Sequence, residues 1–255
     1  MTALLGLRVL ITASDGERLG ELLRARGAEL VLIPTIAIRA IDAASLDAAL
    51  DQRWDWVVVT SPNGARAVVD RLAARGAQPP RAPRLEGPRW AAVGPRSAAA
   101  LRAAGIEPAI APMDGTGARL AEALGLVAGK RVLLARARRA SADLPRIFRA
   151  RGAEVTDVPV YETVEGPESA RGPLAEALTR GIGAIVFTSG STVRGFARLA
   201  GDPARILRGT AVVAIGPTTA AVARTAGLDP RVARARTPEA IVEALESERG
   251  ARVDG

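Results

Sequence analysis

Val212-Val213-Ala214-Ile215, then Gly216-Pro217-Thr218-Thr219, then an alanine-rich run closing at Gly227, reads as a strand, a tight turn and the opening of a helix. Pro217 suits the first helical position, because the N–H it lacks would have no intrahelical partner, and Thr218 and Thr219 leave amides and hydroxyls facing outward. Such a turn receives an anion without a charged side chain. A second copy stands at Ala91-Ala92-Val93-Gly94-Pro95-Arg96-Ser97-Ala98, with its own helix closing at Gly105. The chain is internally duplicated.

The duplication extends outward from the two turns. Arg131-Val132-Leu133-Leu134 echoes Arg8-Val9-Leu10-Ile11, Arg151-Gly152-Ala153-Glu154 echoes Arg26-Gly27-Ala28-Glu29, and Pro159 echoes Pro34. Ile185-Val186-Phe187-Thr188-Ser189-Gly190 repeats Val57-Val58-Val59-Thr60-Ser61-Pro62, and Thr237-Pro238-Glu239 opens the last helix as Gly115-Thr116-Gly117 opens its counterpart. Ser14-Asp15-Gly16 supplies a turn and helix start, and Asp42 to Leu50 has helical spacing. Gln78 to Pro88 reads as a surface connection, Ile106 to Ala111 as a short edge strand interrupted by prolines, and Gly250 to Gly255 as a frayed tail. Strands alternating with helices of this length imply parallel sheets covered on both faces. The expected fold class is α/β, two doubly wound parallel-sheet lobes of flavodoxin-like type.

Composition narrows the chemistry. The 255 residues are 48% hydrophobic, enough for a sizeable core, and no apolar run approaches the roughly 20 residues of a membrane span. The first apolar stretch is broken by Arg8 and lacks a signal-peptide layout, so a cytoplasmic location is expected. Cysteine is absent, which removes disulfides and thiolate nucleophiles. Histidine is absent too, which removes serine–histidine hydrolysis and imidazole-held zinc. Net charge is +8 and Lys130 is the only lysine, but the arginines are dispersed and aromatics are 3%, against nucleic acid and in favour of a small polyanion.

Thr60-Ser61-Pro62 and Thr188-Ser189-Gly190-Ser191 lie just past the carboxyl ends of strands, where open α/β sheets bind ligands. Either loop alone reads as an ordinary helix cap; two equivalent loops with two equivalent Gly-Pro turns suggest lobes that close on one ligand. Gly115-Thr116-Gly117 lacks the third glycine of a dinucleotide fingerprint, and Arg131 stands where a phosphate loop after Gly129-Lys130 needs Ser or Thr. Arg136, Arg138 and Arg139 follow a strand end and read either as carboxylate partners or as a solvated basic loop. Tyr161, the only tyrosine, follows Pro159 in an extended connector.

Taken in order, the Val57 to Pro62 loop, Val93-Gly94, Asp143-Leu144-Pro145, Arg151-Gly152-Ala153, Val158-Pro159-Val160-Tyr161, Phe187-Thr188-Ser189 and Ile215-Gly216-Pro217-Thr218-Thr219-Ala220 resemble the uroporphyrinogen-III synthase family over essentially the whole chain. The resemblance implies one discontinuous lobe, residues 1–35 with 166–255, and an inserted lobe, 36–165, joined by a two-stranded hinge of connectors near 35–39 and 161–165. It implies a linear tetrapyrrole polycarboxylate as substrate, hydroxymethylbilane, cyclised with inversion of its terminal ring through a spiro intermediate and with loss of water. No cofactor or metal is implied, and a monomer compatible with transient contact with the preceding pathway enzyme is. Tyr161 takes the family tyrosine's place, as a hydrogen-bond donor to the departing hydroxyl. Thr60, Ser61, Thr188, Ser189, Thr218 and Thr219 match cleft-lining positions, Ser97 stands where threonine is usual, and Thr116, Arg136 and Gly216 complete the candidate substrate-binding set. Gly190 departs from the proline common in the second Thr-Ser-Pro loop, and Arg136-Ala137-Arg138 is more basic than the usual pattern. The competing function is a two-lobed small-anion binding protein without catalysis.

Overall fold

Two five-stranded sheets organise the computed structural model, which describes residues 3–13, 16–41, 43–76, 87–113 and 115–253. In chain order the strands are β1 (Arg8–Ile11), β2 (Glu29–Leu32), β3 (Ile36–Ala40), β4 (Trp56–Val59), β5 (Arg89–Ala92), β6 (Arg131–Ala137), β7 (Glu154–Glu165), β8 (Ala184–Phe187), β9 (Ala211–Ala214) and β10 (Arg231–Val232). The helices are α1 (Glu17–Ala25), α2 (Ala44–Leu50), α3 (Pro62–Ala74), α4 (Pro95–Arg102), α5 (Gly117–Leu124), α6 (Asp143–Ala150), α7 (Arg171–Thr179), α8 (Gly190–Ala200), α9 (Pro203–Ile206), α10 (Pro217–Thr225) and α11 (Pro238–Val253). Ser14, Asp15, Asp42, residues 78–86 of the Gln78 to Pro88 connection, Asp114 and the last two residues of the tail lie outside the described residues.

The chain divides into two compact units, Met1–Ala37 with Val164–Gly255 (unit 1) and Ile38–Thr163 (unit 2). In unit 1 the strand order is β10-β9-β8-β1-β2, every pairing parallel. Side chains alternate between the two faces, as a period of two requires. Val9, Ile11, Val186 and Val213 pack with Leu19 and Leu23 of α1 and Ile241 and Leu245 of α11. Leu10, Ile185, Phe187 and Val212 pack on the other face with Leu174 of α7 and Phe196 of α8. Phe187 and Phe196 meet edge to face at 5.8 Å. Each fully buried side chain of this size contributes roughly 1.5–3 kcal/mol, which is why four apolar residues in a row suffice for a central strand.

Unit 2 follows the same plan in the order β3-β7-β6-β4-β5. Val57, Val59, Leu133 and Ala135 face one helical layer, and Trp56, Val58, Val132 and Leu134 the other. Two features differ from the sequence expectation. Ile106 to Ala111 forms one bridge, Ile110 to Ala91, in place of a strand, because Pro108 and Pro112 have no N–H to extend a ladder. The edge strand β3 is antiparallel: Ile41 donates to the Val160 carbonyl (3.4 Å) and Gly166 to the Thr35 carbonyl (2.9 Å), so residue numbers run in opposite senses along the pair β3 and β7. These two strands are also where the chain passes between the units. At the other end of the sequence α11 continues helical through Val253, past the Gly250 at which fraying was expected.

A register shift interrupts the pairing of β6 with β7: Arg136 is opposite Pro159, and Ala137 is opposite Tyr161, which leaves Val160 as the extra residue of a bulge. Proline cannot donate to a ladder, and a bulge is how a strand absorbs it. The consequence is directional. Val158, Val160 and Tyr161 all enter the same buried cluster, although Val160 and Tyr161 are neighbours in sequence and would point to opposite faces of a regular strand.

Candidate active site

In unit 2 the candidate residues gather at the carboxyl end of β4. Ser61, extended at φ −155, caps α3 by accepting the Gly64 N–H at 3.0 Å, with Pro62 at the first helical position. Gly64 lets the first turn of α3 approach β6, since a Cβ there would lie 3.0 Å from the Ala135 carbonyl oxygen. The Ser61 Oγ also lies 2.9 Å from the phenolic oxygen of Tyr161. The Tyr161 ring is buried in the cluster that holds Val59 and Ala135, and the bulge aims it there. A hydroxyl that already accepts from Gly64 retains one lone pair and its own proton, so Ser61 holds the phenol's position in either hydrogen-bond direction. Thr60 precedes this pair, half-buried.

Beside it, Gly94 opens α4 with φ +81 and ψ 170, a region essentially confined to glycine, and a Cβ there would stand 2.9 Å from the Cα of Gly115. Ser97 is buried in the first turn of α4, and Thr116 is exposed, its Oγ1 accepting the Arg119 N–H at 3.3 Å. Arg136 does meet a carboxylate, but that carboxylate belongs to the protein: Asp157 takes Nε at 2.6 Å and also Nη2, while Nη1 donates to the Ser141 carbonyl. Its guanidinium is buried and occupied. Arg138 is exposed, and Glu162 is held below the ordinary carboxylate range by its hydrogen bond from Arg39 and by the charges of Arg39, Arg138 and Arg139.

Unit 1 repeats the skeleton with other groups. Ser189 caps α8 in a capping box with Thr192, and its Oγ lies 2.9 Å from that of Ser191, where Ser61 has a tyrosine. Thr188 is half-buried ahead of it. Gly190 has a packing reason to differ from proline, since a Cβ there would press on Val222 of α10 at 2.9 Å. At the second turn Gly216 is extended, Pro217 starts α10, Thr218 is exposed and Thr219 buried. No side chain caps α4 or α10, whereas Ser61 and Ser189 cap α3 and α8. Of these two helix starts in each unit one is therefore closed and the other open, and the open ones carry amides suited to an anion.

Residues that sequence reasoning did not single out hold the connectors to α8. Thr35 is fully buried; its Oγ1 donates to the Thr192 carbonyl at 2.8 Å and its own carbonyl accepts from Gly166. Gly195 makes this possible, because a Cβ there would fall 2.0 Å from the Thr35 oxygen. Glu165 pairs with Arg194 at 2.7 Å and lies 3.8 Å from Arg198. Glycine in mid-helix was the available signal at 195. Among the described residues no three His, Cys, Asp or Glu side chains gather as a metal-ligand set, and no helix is long and apolar enough to cross a membrane.

The fold is that of two crystal structures. A mutant uroporphyrinogen III synthase from the extremely thermophilic bacterium Thermus thermophilus superposes with a TM-score of 0.63 over 97% of this chain and 100% of the other at 24% identity, and uroporphyrinogen-III synthetase from Helicobacter pylori 26695 with 0.62 over 95% and 99% at 17%. A uroporphyrinogen-III synthase of Synechococcus elongatus is 30% identical over 231 residues, 85% of each chain. Residues 17–243 match the family model for uroporphyrinogen-III synthase HemD, a span that contains both serine caps, both Gly-Pro turns and Tyr161, and the chain belongs to the uroporphyrinogen-III synthase family.

Proposed function

We propose that this chain converts hydroxymethylbilane to uroporphyrinogen III and water, with Tyr161 as its hydrogen-bond donor. The terminal pyrrole nitrogen pushes electrons toward the hydroxymethyl carbon, the C–O bond breaks, and the hydroxyl leaves as water with a proton. The phenol assists at that oxygen. The cationic methylene carbon then bonds to the substituted carbon of the last ring, giving a spiro intermediate. Cleavage of that ring's old bridge bond and reclosure at its free position, with loss of a proton, invert it. Unaided closure gives the other isomer, so the enzyme's contribution is orientation and selective binding of the strained transition state.

The observation that carries this reading is the pairing of Tyr161 with Ser61 at 2.9 Å, aimed by the bulge toward the strand end where Thr60 lies. The open starts of α4 and α10, with Ser97, Gly216, Thr218 and Thr219, are assigned to substrate acetate and propionate groups, and Thr116, Thr188 and Ser189 to supporting contacts. Arg136 has a different part: its pair with Asp157 stiffens the β6–β7 end that carries Tyr161. No step calls for a cofactor. The same reading takes the protein as a cytoplasmic monomer, with which sedimentation at the 26.4 kDa of one chain would agree.

Incubation with freshly made hydroxymethylbilane, followed by oxidation and separation of the isomers, tests the proposal. The expected product is almost all isomer III, formed faster than the spontaneous reaction. Isomer I alone, at the uncatalysed rate, would leave the non-catalytic anion-binding reading in its place.

A further inference from the structure

We propose that Arg236 is a specificity-determining residue of unit 1 that grips one acidic side chain of the substrate, setting affinity for the polycarboxylate and not the rate of ring closure. The inference rests on the function proposed above. Three arginines lie on the short segment before α11. Arg231 is bonded to Glu248 and Arg234 to Glu243, both glutamates of α11, at 2.6 and 2.7 Å. Arg236 is exposed and, among the described residues, has no hydrogen-bond or ion-pair partner. Its side chain instead lies along the Gly-Pro turn: Nε and Cγ are 3.4 and 3.8 Å from where a Cβ on Gly216 would be.

That position collects positive potential from several sources. The open start of α10, with the amides of Thr218 and Thr219, follows Gly216 directly. Arg236 also immediately precedes Thr237, whose Oγ1 accepts the Ala240 N–H at the start of the sixteen-residue helix α11. A planar guanidinium beside free amides matches a carboxylate better than either alone. Unit 2 supplies the contrast. There Gly115 holds the place before the capping threonine Thr116, and it is the backbone of Gly115 that faces Gly94. The unit 2 turn has its own arginine in Arg96, at the position Thr218 holds in unit 1; the duplicated turns differ in that unit 1 brings its arginine to the glycine from the residue before Thr237, where unit 2 has Gly115.

The test compares Arg236→Gln, Arg236→Lys and, as the paired neighbour, Arg234→Gln with wild type, measuring kcat, KM and isomer ratio on hydroxymethylbilane and binding of uroporphyrin III by fluorescence quenching, across a range of salt. A lost charge-assisted bond is worth about a tenfold or larger change in affinity. Arg236→Gln is expected to raise KM and the uroporphyrin Kd by that amount, keep kcat within about twofold, leave the III to I ratio unchanged, and flatten the salt dependence of KM. Arg236→Lys is expected to keep the salt dependence and recover part of the affinity, and Arg234→Gln to match wild type. Wild-type affinity and salt slope in Arg236→Gln, or an equal loss in Arg234→Gln, would overturn the proposal. Should wild type itself yield no isomer III, the proposed function fails on that arm, while the uroporphyrin titrations still decide on Arg236.

Discussion

The turn at Gly94 and the turn at Gly216 occupy the same place in two copies of one strand–turn–helix unit, yet they are built differently. Gly94 is glycine by necessity, with a left-handed φ of +81 and the Gly115 backbone against its open side. Gly216 has φ −178, extended backbone that any residue adopts, and its open side meets only the flexible Arg236. The serine loops differ in the same manner: Ser61 holds a buried phenol, Ser189 another serine. The two copies share a serine-capped and an uncapped helix start, and the side chains set around them differ, a buried phenol against the serine in one unit and the Arg236 side chain against the glycine in the other.

The largest expected effect breaks the turns apart. Gly94→Ala should cost roughly 2–4 kcal/mol, from backbone strain plus the clash with Gly115, while Gly216→Ala should cost under about 1 kcal/mol. All three tryptophans, Trp54, Trp56 and Trp90, lie in unit 2, so tryptophan fluorescence follows the unit that carries Gly94. Equal losses of stability in the two variants would show that the turns are interchangeable after all.

Next in size is the phenol. Tyr161→Phe keeps the packed ring and loses one donor, so kcat is expected to fall about ten- to a hundredfold with folding intact, as a hydrogen bond to developing charge is worth roughly 1.5–3 kcal/mol. Ser61→Ala should lower kcat by less, and more than Ser189→Ala, whose cost is chiefly a helix cap of about 1 kcal/mol. Wild-type rate and isomer ratio in Tyr161→Phe would return that residue to a packing role.

The smallest effect concerns acid. In unit 2 the hydrogen bond from Arg71, with Arg75 beside it, lowers the Asp47 pKa from 3.8 to about 2. A depressed carboxylate pKa contributes stability in full above about pH 4, and the contribution fades as pH falls from there toward 2. Asp47→Asn should therefore be less stable than wild type at neutral pH and converge with it near pH 2, followed by tryptophan fluorescence. A constant difference across that window would separate Asp47 from the acid response.

Much of this was legible in the sequence, and the division between legible and illegible follows the range of the interactions. Ser61 to Gly64 and Ser189 to Thr192 are caps spanning three residues, so residue type and spacing suffice to read them. The central strands announce themselves as apolar runs. By contrast, the Ser61 bond to Tyr161 joins residues 100 apart, and the seat of Thr35 on α8 joins residues 157 apart. Arg136 illustrates the limit well: its type and position after a strand pointed to a carboxylate, but only the register of β6 on β7 supplies Asp157 from inside the unit. The antiparallel sense of β3 was likewise hidden: the family resemblance pairs the connectors near 35–39 and 161–165, but proline marks an extended segment without saying in which direction it will pair.

The discontinuous sheet of unit 1 has a consequence for how the protein is made. Strand β1 is an interior strand of that sheet, flanked by the edge strand β2 and by β8, and Thr12 just beyond it donates to the carbonyl of Val186, 174 residues away in sequence. A ribosome therefore releases β1 and β2 first and completes all of Ile38–Thr163 before β8 emerges. The inserted unit has every strand of its sheet but the last residues of β7 available while its host is still half a sheet, and the slow, high-contact-order pairing falls at the end of synthesis. Until then the inner edge of β1 stands open, so nascent or truncated chains ending before Ala184 are the ones for a chaperone to cover.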